Sequence, residues 1–87
     1  MNIVKNAVAG TLESSDIYIS VEPAGELEIE IESVVKDQYY QAIYKTVEEV
    51  LEEHQVKNGR FNINDRGALD CVIRARLETA VKRGGEC

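Results

Sequence analysis

The sequence contains few of the residues on which disulfide frameworks, zinc sites and aromatic cores depend. Its 87 residues include no tryptophan, one phenylalanine, one proline and two cysteines. A chain of this length buries a limited share of its surface, which favours a single domain over residues 1–87 and disfavours a self-contained enzyme. No segment approaches a membrane-spanning apolar run, and no basic stretch precedes a long apolar block at the N-terminus. We therefore expect a cytoplasmic protein with no membrane partner.

Residue sets typical of catalysis or metal binding are also missing. His54 is the one histidine, and no nucleophile stands near it in a recognised motif, although a general base needs positioned partners. Cys71 and Cys87 lie far from any histidine cluster, so no metal site is predicted. We expect Cys71 in the core and Cys87 as a frayed terminal thiol. No phosphate-binding glycine motif occurs, which argues against nucleotide hydrolysis.

The charge is unevenly distributed along the chain, whose net charge is −6. Residues 22–53 contain ten acidic and two basic residues, whereas residues 57–83 contain seven basic and three acidic ones. An acidic total without an aromatic-studded basic stripe argues against nucleic acid as a partner. The basic segment remains a candidate protein-docking face, because complementary charge orients encounters between proteins.

Apolar residues at every second position predict four strands. One covers residues 7–12, and the others contain the alternating apolar sets Ile17, Ile19 and Val21; Leu27, Ile29 and Ile31; Phe61 and Ile63. Glu28, Glu30 and Glu32 alternate with the third set. The third strand should therefore have an apolar face and a solvated acidic face.

Apolar residues at steps of three and four predict two helices. For the first helix, Ser33 is the predicted N-cap and Asn58-Gly59 the predicted stop. Asp65 is the predicted N-cap of the second helix. The buried stripes are expected to contain Val35, Tyr39, Ile43, Val47, Val50 and Leu51 in the first helix, and Leu69, Val72, Ile73, Leu77, Ala80 and Val81 in the second.

The order of these elements, β-β-β-α-β-α, predicts an α+β fold with a small mixed sheet and both helices on its apolar face. If the third and fourth strands pair in parallel, the first helix forms the crossover between them.

Glu13-Ser14-Ser15-Asp16 lies between the first two strands and is typical of a polar turn. By composition alone, these serines need no function beyond the turn. The longer stretch Ala7-Val-Ala-Gly-Thr-Leu-Glu-Ser-Ser-Asp16 resembles the N-terminal motif of the citrate lyase acyl carrier, or gamma, subunit family. Asn62-Ile-Asn-Asp-Arg-Gly-Ala-Leu-Asp-Cys-Val-Ile-Arg-Ala-Arg-Leu-Glu78 resembles the helical motif of the same family.

The resemblance implies that Ser14 carries 2'-(5''-phosphoribosyl)-3'-dephospho-CoA through a phosphodiester bond. Ser15 stands where the family commonly has glycine, and it offers a second hydroxyl one residue away. The Asp-Ser-Leu tripeptide of ordinary acyl carriers does not occur. The resemblance assigns no catalytic residue to this chain.

The resemblance also implies partners. These are an alpha subunit that exchanges acetyl for citryl, a beta subunit that releases oxaloacetate, a prosthetic-group transferase and an acetylating ligase. Overall, citrate would be cleaved to acetate and oxaloacetate. Two alternatives remain, the carrier subunit of a malonate decarboxylase and a noncovalent adaptor domain. Arg66, Arg74 and Arg76 either flank a structural helix or form a cationic face toward acidic partners or the phosphates of the arm.

Overall fold

Alternating burial along each strand produces a mixed four-stranded sheet covered by two helices. The computed structural model describes the backbone of residues 1–34 and 36–85 and the side chains of residues 1–34 and 39–85. The elements are β1 (Ala7–Gly10), β2 (Ile17–Glu22), β3 (Leu27–Ser33), α1 (Lys36–Glu53), β4 (Gly59–Asp65) and α2 (Asp70–Gly84). The predicted order and the α+β class are confirmed.

The strands lie in the order β1-β2-β4-β3. The pairs β1–β2 and β2–β4 are antiparallel, whereas β3 and β4 are parallel. Because parallel neighbours need a long connection, α1 forms the predicted crossover between β3 and β4. The register places Ile17, Asp65 and Ser33 side by side at one end of the sheet. The turn before β2 therefore lies at the same edge as the loop after β4.

The core lies between the sheet and the helices. Ile17, Ile19 and Val21 of β2 and Phe61 and Ile63 of β4 are buried, while the residues between them are less buried or exposed. The helices contribute Ile43, Val47, Val50, Leu51, Ile73, Leu77, Ala80 and Val81 to the same core. The second face of the sheet carries Glu28, Glu30 and Glu32, all exposed, as the alternation predicted.

Both ends of α1 differ from the prediction. Ser33 is the last residue of β3 and not an N-cap, because α1 begins at Lys36. The helix ends at Glu53, and the left-handed residue that follows is Gln55, with φ 54°. The backbone N–H of Val56 then donates to Leu51 at 2.9 Å. The predicted stop at Asn58-Gly59 is wrong, since Gly59 already belongs to β4.

The apolar stripe of α1 is confirmed in its central and C-terminal turns. Tyr39 does not belong to it, because its exposed fraction is 54%. Tyr40 and Tyr44, partly buried, pack against the core instead, with their ring centroids 6.1 Å apart. Val35 was also predicted on this stripe and lies outside the described residues.

The start of α2 differs as well. Asp65 ends β4, and Leu69 occupies the N-cap position without a side-chain cap. Leu69 was predicted to be buried but is 70% exposed, and Cys71 is exposed where a core thiol was expected. The buried stripe begins later, at Ile73. Cys87 lies outside the described residues.

Neither α1 nor α2 is long and apolar enough to cross a membrane, as judged over residues 1–34 and 36–85.

Candidate functional site

The turn between β1 and β2 displays the two serines at its tip. Its base is closed by the backbone N–H of Thr11, which donates to the carbonyl of Ile17 at 3.1 Å. Closer to the tip, the N–H of Asp16 donates to the carbonyl of Glu13 at 3.2 Å. Ser14 and Ser15 are both exposed. The predicted polar turn is therefore present, and it presents hydroxyls to solvent.

The carboxylate of Asp16 ties this turn to α2. One oxygen accepts from Nε of Arg76 at 3.1 Å, and the other accepts from its Nη2 at 2.9 Å. The hydroxyl of Thr11 and the backbone N–H of Ile17 each donate to the same carboxylate at 2.7 Å. These donors, Arg76 first and Thr11 second, lower the pKa of Asp16 to about 2. Asp16 is therefore ionised at neutral pH and is a weak base.

Gly10 permits the close approach that this arrangement needs. Its φ is 87°, and a Cβ at this position would lie 1.8 Å from the carbonyl oxygen of Ile17 and 3.4 Å from Cδ of Arg76. Any larger residue would push the two ends of the turn apart. Glycine at position 10 thus lets Arg76 reach across the base of the turn to Asp16.

A second loop, residues 66–69, braces the turn from the side. The N–H of Ser15 donates to the carbonyl of Arg66 at 2.8 Å, and the N–H of Arg66 donates to the carbonyl of Asp16 at 2.9 Å. Ser15 has φ 65°, in the left-handed region. Glycine adopts this conformation without steric cost, which explains physically why glycine suits position 15.

Asp65 fixes the start of the 66–69 loop. It is 1% exposed, and its carboxylate accepts from the hydroxyl of Ser33 at 2.7 Å and from the N–H of Ala68 at 2.9 Å. It caps this loop and the end of β3, not α2 as predicted. The turn that carries Ser14 is thus held by contacts with β4, α2 and the loop between them.

The side chain of Ser14 remains available. Within the described part of the chain, no hydrogen bond to its hydroxyl is found. His54 is not part of the site, since its ring lies 3.6 Å from the carboxylate of Glu78. Ser14 is therefore an accessible primary alcohol on a turn whose base is held in place.

The three arginines predicted as a cationic face are not equivalent. Arg74 contacts three carboxylates, those of Asp70 at 3.1 Å, Glu53 at 3.7 Å and Glu49. Arg76 is held by Asp16. Arg66 lies before α2, is exposed, and makes no side-chain ion pair with any described side chain, which are those of residues 1–34 and 39–85. Arg74 and Arg76 are therefore paired with carboxylates, and the prediction of a cationic face formed by all three arginines is wrong for these two.

Acidic side chains form no cation site among residues 1–34 and 36–85, since no group of three or more His, Cys, Asp or Glu side chains has suitable geometry there. The single base among the exposed glutamates of the sheet, Arg60, pairs with Glu22 at 2.9 Å and Glu28 at 3.5 Å.

The sequence predicted the polar turn that carries Ser14 but not the contacts that hold this turn in place. Thr11 and Asp16 stand at the two ends of the loop, and Gly10 precedes Thr11. This pattern of a glycine followed by two polar loop ends could have indicated these residues. Arg76 carried no such signal, because it is 60 residues from Asp16.

Comparison with known proteins supports the earlier resemblance. A family model described as malonate decarboxylase delta subunit, an acyl carrier protein family, matches residues 4–84. A citrate lyase acyl carrier protein from Treponema denticola is 46% identical over 86 residues, covering 99% of each chain. One from Cronobacter sakazakii is 54% identical over 87 residues, covering 99% of this chain and 90% of that protein.

Among solved structures, a chain of a Pseudomonas malonate decarboxylase hetero-tetramer crystallised with malonate is similar, with a TM-score of 0.81. It is 26% identical, and the match covers 93% of this chain and 84% of that one.

Proposed function

The chain belongs to the citrate lyase acyl carrier protein family, and on that premise we propose that it carries an acyl group on a prosthetic arm attached to Ser14. Members of such a family are carrier subunits and not catalytic enzymes. The observation that carries the assignment to Ser14 is its free, exposed hydroxyl on a turn held by Asp16, Arg76 and the 66–69 loop.

The residues of the turn fit a phosphodiester-linked arm such as 2'-(5''-phosphoribosyl)-3'-dephospho-CoA. Attachment needs an accessible hydroxyl, and Ser14 is exposed on the turn. The Ser14 oxygen would form a bond to phosphorus while a phosphoanhydride bond in an activated donor breaks. The polyphosphate part of the donor leaves with the electrons of the broken bond. The proton of the serine hydroxyl passes to a base of the transferase. When bound, the arm would supply a thiol that holds the acyl group as a thioester.

The body of the protein then has a positioning task. Asp16 is ionised and fully engaged, so it holds the turn rather than exchanging protons. A tether rooted on a rigid turn raises the concentration of the acyl group at each catalytic partner. In this proposal those partners are the alpha (CoA-transferase) and beta (citryl lyase) subunits, which together cleave citrate to acetate and oxaloacetate.

Ser14 is preferred over Ser15 as the attachment site because the backbone of Ser15 has a structural role in the turn. The N–H of Ser15 is bonded to Arg66 and its φ is 65°, so Ser15 serves the brace between the two loops. We propose that Ser15 cannot replace Ser14 as the anchor.

A second candidate is the carrier subunit of a malonate decarboxylase. It is supported by the description of the matching family model and by the Pseudomonas structure. Citrate lyase is favoured because the citrate lyase relatives are 46% and 54% identical, against 26% for the chain of the decarboxylase.

Intact-mass analysis tests the anchor. The wild-type protein, Ser14→Ala and Ser15→Ala are each produced with the prosthetic-group transferase and the enzymes that supply its donor. We expect the arm's mass increment on wild type and Ser15→Ala and none on Ser14→Ala, whose fold is checked by circular dichroism. An increment on folded Ser14→Ala would refute the assignment. Wild type that stays unmodified within an active citrate lyase would refute the carrier mechanism itself.

The two candidate functions are separated with wild-type protein that carries the arm and whose arm thiol has been acetylated, so that an acetyl group is present for exchange. It is added to citrate lyase alpha and beta subunits, and separately to malonate decarboxylase catalytic subunits, each lacking its own carrier. Oxaloacetate formation from citrate in the first mixture supports the citrate lyase assignment. Carbon dioxide release from malonate in the second mixture alone would favour the decarboxylase.

A further inference from the structure

We propose that Arg66 binds the phosphodiester that joins the arm to Ser14, and so orients the root of the arm. This inference rests on the proposed function, because it concerns the group attached at Ser14. It assigns to Arg66 a contact with the attached phosphate and no part in acyl chemistry.

Three other arginines, one near the turn and two on the neighbouring helix, are already engaged. Arg76 donates two hydrogen bonds to Asp16, and Arg74 is surrounded by three carboxylates. Arg83 donates from Nη1 to the carbonyl of Val8 at 2.9 Å. Arg66, in contrast, makes no side-chain ion pair with any residue that the structure describes.

The backbone of Arg66 lies beside the anchor. Its carbonyl accepts from Ser15 and its N–H donates to Asp16, so its backbone pairs with the two residues that follow Ser14. The residue after it, Gly67, has φ 90°, and a Cβ added there would meet no atom within 4 Å. Space beside Arg66 is therefore open, while its backbone is held next to the anchor.

Charge also favours a cation at this position. A phosphodiester at Ser14 would add negative charge to a turn that already contains Glu13 and Asp16. Arg76 offsets the charge of Asp16, but Glu13 is exposed and makes no ion pair with the described side chains of residues 1–34 and 39–85. A cation beside the turn would offset the new negative charge. Arginine suits this purpose, because its planar guanidinium donates two parallel hydrogen bonds to phosphate oxygens.

The test uses the loaded protein alone, without catalytic partners. Wild type, Arg66→Gln, Arg66→Lys and the control Lys82→Gln are compared with and without the arm. Lys82 is exposed near the far end of α2 and makes no ion pair with any described residue. The readouts are the side-chain Nε–Hε resonance of Arg66 and the phosphorus resonance of the phosphodiester.

We expect the Arg66 Nε–Hε resonance to shift on loading, while that of Arg60, on the other face of the sheet, stays unchanged. The phosphorus resonance should move in Arg66→Gln, move less in Arg66→Lys and stay in place in Lys82→Gln. The transferase should load Arg66→Gln with a kcat/KM lower by about 5- to 10-fold, as expected for the loss of one exposed charge-assisted hydrogen bond.

Unshifted Arg66 and phosphorus resonances in correctly loaded protein overturn the inference. Slower loading together with unshifted resonances means that Arg66 contacts the transferase and not the arm, which also overturns it. The proposed function fails in a different way, through a wild-type protein that gains no arm.

Discussion

The carboxylate of Asp65 should determine the stability of the end of the sheet where the Ser14 turn lies. Asp65→Ala deletes the hydrogen bonds from the Ser33 hydroxyl and the Ala68 N–H, at 2.7 and 2.9 Å. Each bond to a charged group contributes about 1.5–3 kcal/mol. Relief of the cost of burying the charge offsets part of this sum. We expect a loss of about 2–4 kcal/mol in the free energy of unfolding.

Asp65→Asn should cost less, about 1–2 kcal/mol, because an amide oxygen still accepts one of the two hydrogen bonds. In a domain of this size a loss of 1 kcal/mol lowers Tm by about 4–8 °C. Asp65→Ala should therefore lower Tm by about 10 °C or more. The exposed neighbour Glu32 provides the control, since Glu32→Ala should change stability by less than about 0.5 kcal/mol.

Urea unfolding followed by circular dichroism measures these differences, and native-state hydrogen exchange locates them. The amides of Ala68 and Ser15 should lose protection in Asp65→Ala, while that of Ile19 in β2 should follow global stability alone. If Asp65→Ala unfolds within about 1 kcal/mol of wild type at an unchanged denaturant slope, the buried carboxylate does not stabilise this end of the sheet as argued.

Three further substitutions test the site and its surroundings. Ser15→Gly should raise the free energy of unfolding by about 1 kcal/mol in urea titrations, because it relieves a left-handed residue; an unchanged value would mean that the turn relaxes. Arg76→Gln removes the main cause of the low Asp16 pKa, about 2 against an ordinary 3.8. The stabilisation that ionised Asp16 gives the wild type is complete above pH 3.8 and is lost as the pH falls to 2. Wild type and Arg76→Gln should therefore differ in stability at pH 6 and converge near pH 2. A difference in stability that stays constant with pH would contradict the ion pair. Cys71 is exposed, so in a Cys87→Ser background its thiol should react with Ellman's reagent in the native protein within about tenfold of the rate in urea, and strong protection would contradict its exposure.

The strands and the cores of the helices followed from local patterns. Alternation in Ile17, Ile19 and Val21 predicted their burial, because successive side chains of a strand point to opposite faces. The same reasoning succeeded for Phe61 and Ile63. The apolar stripe of a helix predicted burial correctly where the helix packs against the sheet, as at Val47 and Leu51.

The element ends were predicted poorly, because capping residues also serve the ends of strands. Ser33 and Asp65 both have side chains that cap helices, yet the parallel register of β3 and β4 places them opposite each other. Their side chains therefore bond to one another, and neither starts a helix. Local propensity could not reveal this pairing, which joins residues 32 positions apart.

The sequence by itself determined the order of the elements, most of the strand and helix residues in the core and the polar turn that displays Ser14, since each depends on neighbouring residues. Only the tertiary structure decided how that turn is held and which arginine remains available beside it. Asp16 meets Arg76 across 60 residues, and Arg74 meets carboxylates from both helices. Arg66 makes no ion pair with a described side chain and lies at the edge where β2 and β4 bring the two loops together. Sequence could not show this, because charges pair according to distance in space and not according to position along the chain.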